Sequence, residues 1–348
     1  MIARSRRIRL SNGIEFDTPL LVPALSSRAT GPIPYARSPG SKPELTTCSI
    51  VHSDTLTNAI DEALLISAYD IRHGLIADSE TLKSGFADSR YAKPLVLIID
   101  SGWYEKRGDP LGGPFVEGLD DAKPWEEADY QMTIDGLDDE VRAIVVSWDH
   151  SGSYGEQIDR AQDFFGARRR FASTILLKPP GESRFHDLGK LSGEDVANLR
   201  GFGIVGVTEK ELADALLDRL KTLARLRRLL DEEEVQAPIH VFGGLDPLVT
   251  PLYFAAGGEV FDGLGWLRYA YREGVAMSRE SATILDGQVS KRWFQALTFV
   301  SLQNLDVIRN LTDELRVFAH SQGDWSKVST RGAVFKTICD RLDEKVGD

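Results

Sequence analysis

The chain has 348 residues, 42% of them hydrophobic and 27% charged, and carries a formal net charge of −12 at pH 7. This length suits one large α/β domain or two ordinary ones, and the acidic balance argues against a broadly basic nucleic-acid-binding surface. Cys48 and Cys339 are its only cysteines, so the sequence argues against a disulfide framework and excludes a cysteine-rich zinc site.

Eight short β-rich runs follow one another along the chain, with helical spacing of apolar residues between them. This alternation predicts βα units around a parallel sheet. Eight units favour a closed (β/α)8 barrel, or TIM barrel, over residues 1–290, and a doubly wound open sheet is the alternative. The runs are PLLVPAL (19–25), LLISAYD (64–70), PLVLIID (94–100), AIVVSWD (143–149), STILLKP (173–179), GFGIVGV (201–207), IHVFGG (239–244) and GEVFDG (258–263).

Helical patterns lie between several of these runs. Residues 155–171 and 208–234 place apolar residues three and four positions apart, which is typical of amphipathic helices. In the second segment, Thr208 followed by Glu211 predicts an N-terminal capping box. Residues 102–140 are rich in Gly, Pro, Asp and Glu, so they predict a long functional or mobile insertion without a long helix.

The two ends of the chain carry further expectations. Residues 291–348 predict a C-terminal segment of one or two long helices that packs on the barrel. No apolar run approaches the roughly 20 residues that a membrane-spanning helix needs, and the N-terminal MIARSRRIRLSNG lacks the apolar core of a signal peptide. We therefore expect a cytoplasmic protein that does not contact a membrane.

Three of the predicted strands carry an aspartate at or near their ends: Asp100, Asp149 and Asp262. One such residue can be a helix cap or a turn former. In a (β/α)8 barrel, however, the carboxyl ends of the strands form the face that holds the active site, so the three carboxylates converge there. They are suited to glycosyl transfer, with one nucleophile and one proton carrier, or to binding magnesium or manganese. Their spacing does not separate these two chemistries.

Arginines occur in three clusters, which have two interpretations. Each cluster can bind phosphates, or it can form the solvated face of a helix or a basic tail. The clusters are Arg4, Arg6, Arg7 and Arg9; Arg168, Arg169 and Arg170; and Arg225, Arg227 and Arg228.

The segment IHVFGGLDPLVTPLYFAAGGEVFDGLGWLRYAYREG, residues 239–274, resembles a pattern of the tRNA-guanine transglycosylases and of their relatives that insert 7-deazaguanines into DNA. Asp262 matches the nucleophile of that family. Arg268 and Arg272 match its arginine pair, which implies contacts with nucleic-acid phosphates. One extra residue separates the two arginines here, and Leu267 replaces a threonine.

Other segments resemble the same family in the same order, over about residues 14–320. In DSGWYE, Asp100 matches the general acid/base, Tyr104 matches the aromatic residue that stacks on the base, and Ser101 is implied to bind the base. SWDHSG places Asp149 at the carboxylate that reads the edge of the purine. GFGIVGV places two further residues in the wall of the base pocket through their peptide groups; these are Gly206 and Val207.

The chain also departs from the family pattern. The three cysteines and the histidine that hold a structural zinc are absent, and Gln303 stands at about the position of that histidine. Lys178 stands near the position of a glutamine that reads the base, which makes it a further base-binding candidate. Trp103 replaces a glycine and Glu105 a glutamine. These changes leave the base specificity and the choice of nucleic acid open.

The resemblance implies a pentosyl transferase that exchanges guanine for a 7-deazaguanine in tRNA or DNA through a covalent aspartyl-glycosyl intermediate, without a metal or another cofactor. Its partners are the nucleic acid and the free 7-deazaguanine base, and a homodimer or a hetero-oligomer is a further expectation. Two alternatives stay open: a catalytically silent subunit that binds nucleic acid or supports an active partner, and a metal-dependent barrel enzyme.

Overall fold

The structure is a computed structural model that describes seven ranges of the chain. These are residues 2–26, 59–60, 62–74, 96–107, 123–290, 293–328 and 331–344. Twelve strands lie in these ranges. They are β1 (Arg7–Arg9), β2 (Glu15–Asp17), β3 (Leu20–Pro23), β4 (Ala63–Ser67), β5 (Val96–Asp100), β6 (Ile144–Val146), β7 (Ala172–Leu177), β8 (Ile204–Thr208), β9 (Ile239–Phe242), β10 (Val260–Gly263), β11 (Ala270–Arg272) and β12 (Val275–Met277).

Strands β3 to β10 form one eight-stranded parallel sheet in which neighbours in sequence are neighbours in space. The last strand returns to the first, because Asp262 of β10 pairs with Val22 of β3. A bridge between Ala24 and Leu65 joins β3 to β4. The sheet is therefore nearly closed and TIM-barrel-like, and all eight predicted strands are present. The doubly wound alternative was wrong, since the strand order does not reverse.

Side chains alternate between the two faces of the sheet, as strand geometry requires. Val22, Ile98 and Leu176 belong to a cluster inside the barrel, whereas Leu21 and Ile99 pack outside it with the helices. The short hairpin of β1 and β2 closes the amino-terminal end of the barrel with apolar residues that join the inner cluster. Those residues are Ile8, Leu10 and Phe16. This hairpin was not predicted from the sequence, because its strands have only three residues each.

Twelve helices lie in the described ranges. They are α1 (Ala68–Arg72), α2 (Trp103–Arg107), α3 (Glu127–Asp135), α4 (Tyr154–Gly166), α5 (Gly193–Asn198), α6 (Glu209–Leu212), α7 (Leu216–Glu232), α8 (Thr250–Ala255), α9 (Gly265–Arg268), α10 (Arg279–Leu285), α11 (Trp293–His320) and α12 (Gly332–Glu344). The predicted helix at 155–171 corresponds to α4. Within 102–140, the nine-residue α3 is a helix that the composition of that segment did not indicate.

The predicted helix at 208–234 is two helices, α6 and α7, separated by an extended turn. Arg219 of α7 donates to the carbonyl oxygens of Ala213 and Asp214 and so satisfies backbone groups that the break exposes. The predicted capping box was also wrong. Thr208 precedes α6 without capping it through its side chain, because Thr208 and Glu211 both contact Lys178 instead.

The C-terminal part begins with the single long helix α11, and its interior residues join the same hydrophobic core as the outer face of the sheet. Asn304 of α11 holds the segment after β10. It donates to the carbonyl oxygens of Trp266 and Tyr269 and accepts from the amide of Tyr271. None of the helices in the described ranges is long and apolar enough to cross a membrane. A boundary between barrel and C-terminal segment at residue 290 stays a prediction.

Candidate active site

A cavity of about 830 Å³ opens at the carboxyl ends of the barrel strands, within the range typical of small-molecule sites. Seven of the ten predicted site residues line it, so the three strand-end aspartates do converge. Those that line the cavity are Asp100, Ser101, Tyr104, Asp149, Lys178, Asp262 and Arg268. The other three are Gly206, Val207 and Arg272.

Asp262 lies near the end of β10, and its side chain is buried except for a small part that faces the cavity. Two donors from β9 and its end converge on one carboxylate oxygen. Nε2 of His240 lies 3.0 Å from Oδ1, and the amide of Gly243 donates to the same oxygen over 3.1 Å. The backbone is also fixed, because the amide of Leu245 donates to the carbonyl oxygen of Asp262. The carboxylate therefore has one held orientation toward the cavity.

Asp100 ends β5 and shares the cavity with Asp149 and Asp262. Burial, and next the negative charge of Asp149, raise the pKa of Asp100 to about 7. The amide of Ser101 and the ammonium of Lys178 act in the opposite direction. A carboxyl group with this pKa exchanges a proton readily near neutral pH. Asp100 can therefore donate a proton in one step and accept one in another.

Asp149 is held as a hydrogen-bond acceptor by groups on both of its oxygens. The hydroxyl of Ser101 donates to Oδ2 over 2.6 Å, and Nζ of Lys178 lies 3.3 Å from Oδ1 and 2.7 Å from Glu211. Burial lowers the pKa of Lys178, but Asp149 and Glu211 outweigh it, and the net shift is upward. Lys178 is thus an ammonium that spans two carboxylates, and Asp149 can accept hydrogen bonds from a ligand.

The turn after β5 positions Ser101 and Tyr104. Gly102 has φ of +83°, and a Cβ atom at this position would lie 2.6 Å from Cβ of Tyr69, so only glycine fits there. The indole Nε1 of Trp125 donates to the carbonyl oxygen of Ser101 over 2.9 Å. The tight turn therefore begins α2 immediately and brings both predicted base-binding side chains to the cavity.

Tyr104 and Arg268 meet across the mouth of the cavity. Nη2 of Arg268 donates to the hydroxyl of Tyr104 over 2.8 Å, which joins α2 to α9. One of these side chains follows β5 and the other follows β10, so they come from different parts of the barrel rim. A ligand that stacks on the tyrosine ring meets the guanidinium at the same place.

The three remaining predicted residues lie elsewhere. Gly206 lies beneath the ring of Phe242, where a Cβ atom would come within 2.5 Å of that ring. Val207 points to the outer face of the sheet and packs among the helices. Arg272 of β11 is ion-paired with Asp286 at 2.7 Å and donates to Gln303 of α11.

Sequence reasoning missed three residues of the site. His240 was not among the predicted site residues, yet it contacts Asp262 directly. Glu211 was assigned to a helix cap, yet it pairs with Lys178. Glu105 was noted only as a departure from a family pattern, and it is buried in the cavity wall with Oε1 accepting from Ser26 over 2.6 Å.

The electrostatics of Glu105 resemble those of Asp100. Burial, and then the charges of Asp70 and Asp100, raise the pKa of Glu105 well above its usual range. A protonated carboxyl has one donor and one acceptor oxygen, as a glutamine amide has a donor and an acceptor. The alternation of side chains along a strand does predict that His240 points into the barrel, as Asp262 does in the adjacent strand.

Two further findings bear on identity. Within the described residues, no group of three or more His, Cys, Asp and Glu side chains is arranged to hold a metal ion. A scan against models of protein families and a search of curated proteins both find no match to this chain. The geometry of the cavity is therefore the basis on which a function is inferred.

Proposed function

We propose that this protein is a guanine transglycosylase that exchanges a guanine base in nucleic acid for a 7-deazaguanine. The observation that carries the proposal is the pairing of two unlike carboxyl groups in one cavity. Asp262 is held by two donors on a single oxygen, and Asp100 has a pKa of about 7. Enzymes that cleave glycosidic bonds through a covalent intermediate need one carboxylate as nucleophile and one as proton carrier.

The first half of the reaction breaks the bond between the sugar and guanine. An oxygen of Asp262 forms a bond to C1′ while the C1′–N9 bond breaks, and its electron pair leaves with guanine. The protonated carboxyl of Asp100 gives its proton to the departing base. In the second half, the incoming 7-deazaguanine gives a proton to Asp100 and attacks C1′, which releases the carboxylate of Asp262. Atoms and charges balance over the two steps.

Asp149 supports selection of the base in this proposal. A guanine or a 7-deazaguanine presents an N–H and an amino group on one edge, both of which are donors. Asp149 is an acceptor because Ser101 and Lys178 already supply donors to it. A base with acceptors on that edge would meet an unfavourable carboxylate. Tyr104 supplies an aromatic surface for a base that has left its stack.

We infer a (β/α)8 barrel of the transglycosylase kind whose C-terminal helices lack the family zinc site. The contacts of Gln303 and Asn304 support this inference. These neighbours on α11 bind Arg272 and the backbone after β10 through hydrogen bonds, near the position where a zinc ligand is expected from the resemblance.

The test is a covalent adduct that survives denaturation. Purified protein is incubated with tRNA, with duplex DNA or with single-stranded DNA and analysed on a denaturing gel and by intact mass. We expect an adduct with one nucleic acid, loss of the adduct in Asp262→Ala, and its retention in the control Asp163→Ala, which changes an exposed aspartate of α4. Addition of a 7-deazaguanine should resolve the adduct.

The same experiment identifies the partner. An adduct with tRNA alone or with DNA alone decides between the two substrates. If the wild-type protein forms no adduct with any of them, or if Asp262→Ala forms the adduct as well as the wild type does, the proposed mechanism is wrong. Tight binding of one nucleic acid without an adduct would favour a silent binding subunit.

A further inference from the structure

His240 is the buried partner of Asp262. Its side chain lies inside the barrel with no exposed surface, and Nε2 lies 3.0 Å from Oδ1. The register of the sheet explains the contact, because His240 of β9 pairs with Val260 of β10, two residues before Asp262. Both side chains therefore point inward from adjacent strands.

The contact indicates which nitrogen of His240 carries hydrogen. A carboxylate only accepts hydrogen bonds, so Nε2 must be the donor. Nδ1 is buried and has no hydrogen-bond partner within the described residues. A charged imidazole would place a second N–H there without an acceptor, which is unfavourable in a buried site. The neutral ring with hydrogen on Nε2 fits this environment.

The ring of His240 is also held in place by packing. It stacks on Phe242, with ring centroids 3.8 Å apart and planes tilted by 24°. Phe242 in turn occupies the space above Gly206, where any larger residue would meet the phenylalanine ring. The ring therefore cannot tilt away from Asp262 without displacing Phe242, since packed interiors leave little free space.

The two oxygens of Asp262 consequently differ. Oδ1 receives the imidazole N–H and the amide of Gly243. None of the described residues donates to Oδ2, and the carboxylate lines the cavity. The unbonded oxygen is therefore the one available to a ligand.

We propose that His240 is a positioning residue for Asp262, which holds Oδ1 with the Gly243 amide and leaves Oδ2 to form the bond to C1′. This inference rests on the proposed function and deepens it. During attack, Oδ2 becomes the ester oxygen and Oδ1 the ester carbonyl, and the proton stays on Nε2 throughout. When the incoming base attacks C1′, the C1′–Oδ2 bond breaks and its electron pair returns to the carboxylate.

The hydrogen bond has its largest effect in that second step. Hydrogen bonds to a charged group are stronger than those to a neutral one, so His240 favours release of the carboxylate from the ester. Removal of the donor should therefore slow the resolution of the adduct by the incoming base. A purely structural role for His240 would not slow this step selectively.

Two substitutions separate the effect of the hydrogen-bond donor of His240 from the effect of the volume of its ring. His240→Leu fills the space without a donor, and His240→Gln places an amide N–H near the position of Nε2. After adduct formation, a 7-deazaguanine is added and the decay of the adduct is followed by rapid quench. We expect the decay rate to fall roughly 10- to 100-fold in His240→Leu, and to stay within about threefold of the wild type in His240→Gln.

Two outcomes overturn the inference. Equal decay in the wild type and His240→Leu would show that the donor has no role, and equal slowing in both variants would assign the effect to packing. Absence of an adduct in the wild-type protein is a different result, because it removes the proposed function itself. Thermal melting of both variants shows whether they fold.

A measurement on the unmodified protein gives an independent check if His240→Leu does not fold. Nitrogen NMR of ¹⁵N-histidine-labelled protein distinguishes the two imidazole tautomers, and the signal of His240 is the one lost in His240→Gln. We expect the signal of a ring with hydrogen on Nε2. Hydrogen on Nδ1 with none on Nε2 would contradict the proposed contact whatever the enzyme activity.

Discussion

Charged side chains are paired at the amino-terminal end of the barrel, whereas like charges share a cavity at the carboxyl end. At the amino-terminal end, Arg6 donates to both oxygens of the fully buried Glu259, over 2.7 and 2.9 Å. Arg227, also buried, lies 3.6 Å from the same carboxylate. At the carboxyl end, Asp100, Asp149 and Asp262 share one cavity, and Lys178 pairs with only one of the three.

This difference separates stability from function. Opposite charges at the amino-terminal end compensate each other in a buried setting. At the carboxyl end, burial and next the neighbouring negative charges raise the pKa of Asp100 to about 7 and that of Glu105 well above its usual range. Shifts of this kind cluster at functional sites, and active sites in such barrels lie at the carboxyl end. The difference therefore supports the proposal that the carboxyl end of the barrel holds the active site.

The largest expected effect is on the amino-terminal end. Glu259→Leu leaves Arg6 and Arg227 without their shared buried carboxylate, and we expect the free energy of unfolding to fall by about 3 to 5 kcal/mol. Urea unfolding followed by tryptophan fluorescence measures the change. Activity per folded molecule should stay at the wild-type level, because Glu259 does not line the cavity.

Glu15→Gln is the matched control for this prediction. Glu15 pairs with Arg7 and Arg9 on the surface, where ion pairs contribute about 0 to 1 kcal/mol. Equal losses of stability in Glu15→Gln and Glu259→Leu would contradict the assignment of stability to the buried charges.

The second effect is a gain of stability at the carboxyl end. The pKa of Asp100 is raised to about 7 from an ordinary value of 3.8, so ionisation of Asp100 opposes folding as pH rises between these values. Asp100→Asn removes that cost. The extra free energy of unfolding of Asp100→Asn over the wild type should grow by roughly 2 to 3 kcal/mol between pH 5 and pH 8, while adduct formation is lost.

Urea unfolding at both pH values measures this advantage, and Asp163→Asn, on the exposed surface of α4, serves as the control with no pH-dependent difference. An advantage of Asp100→Asn that is constant from pH 5 to pH 8 would show that Asp100 does not titrate in this range. A loss of stability at pH 8 would show that the carboxylate is favourable in the cavity.

The smallest effect concerns the two arginines predicted to bind phosphates. Arg268 lines the cavity, whereas Arg272 is ion-paired with Asp286 outside it. We expect Arg268→Gln to weaken nucleic-acid binding about five- to tenfold. The slope of log Kd against log salt concentration should also fall by about one, the value of one phosphate contact. Arg272→Gln should change the Kd less than about twofold.

Fluorescence anisotropy at two salt concentrations measures both Kd values. Arg225→Gln is the control, because Arg225 is exposed on α7 and does not line the cavity. A larger effect of Arg272→Gln than of Arg268→Gln would move the nucleic-acid path toward the β11–β12 hairpin. An equal effect of all three substitutions would indicate binding by overall charge.

The sequence was sufficient to predict the sheet and much of the cavity. Apolar runs identified the eight strands, and the parallel order of βα units then brings residues at their carboxyl ends together. Asp100, Asp149 and Asp262 were found in this way. The hairpin strands were missed, since three residues are too few for a periodic signal.

Contacts between strands needed the structure. Lys178 and Glu211 pair because β7 and β8 are adjacent, and His240 reaches Asp262 because of the register between β9 and β10. Neither register is encoded in the spacing of residues along one strand. Arg272 leaves the cavity because the chain enters the β11–β12 hairpin after α9, a local turn that the family pattern did not predict.

The seam of the barrel has a consequence for how the protein folds. Asp262 lies on β10, which pairs with β3 from a part of the chain more than two hundred residues earlier. Contacts between such distant segments form slowly, because a long loop must close before they gain any stability. The cavity around Asp262 is therefore completed at a late stage of folding, when the first and last barrel strands meet. A chain whose barrel is still open at this seam can already have the β9 contacts that orient Asp262, but it lacks the side of the cavity that follows β3.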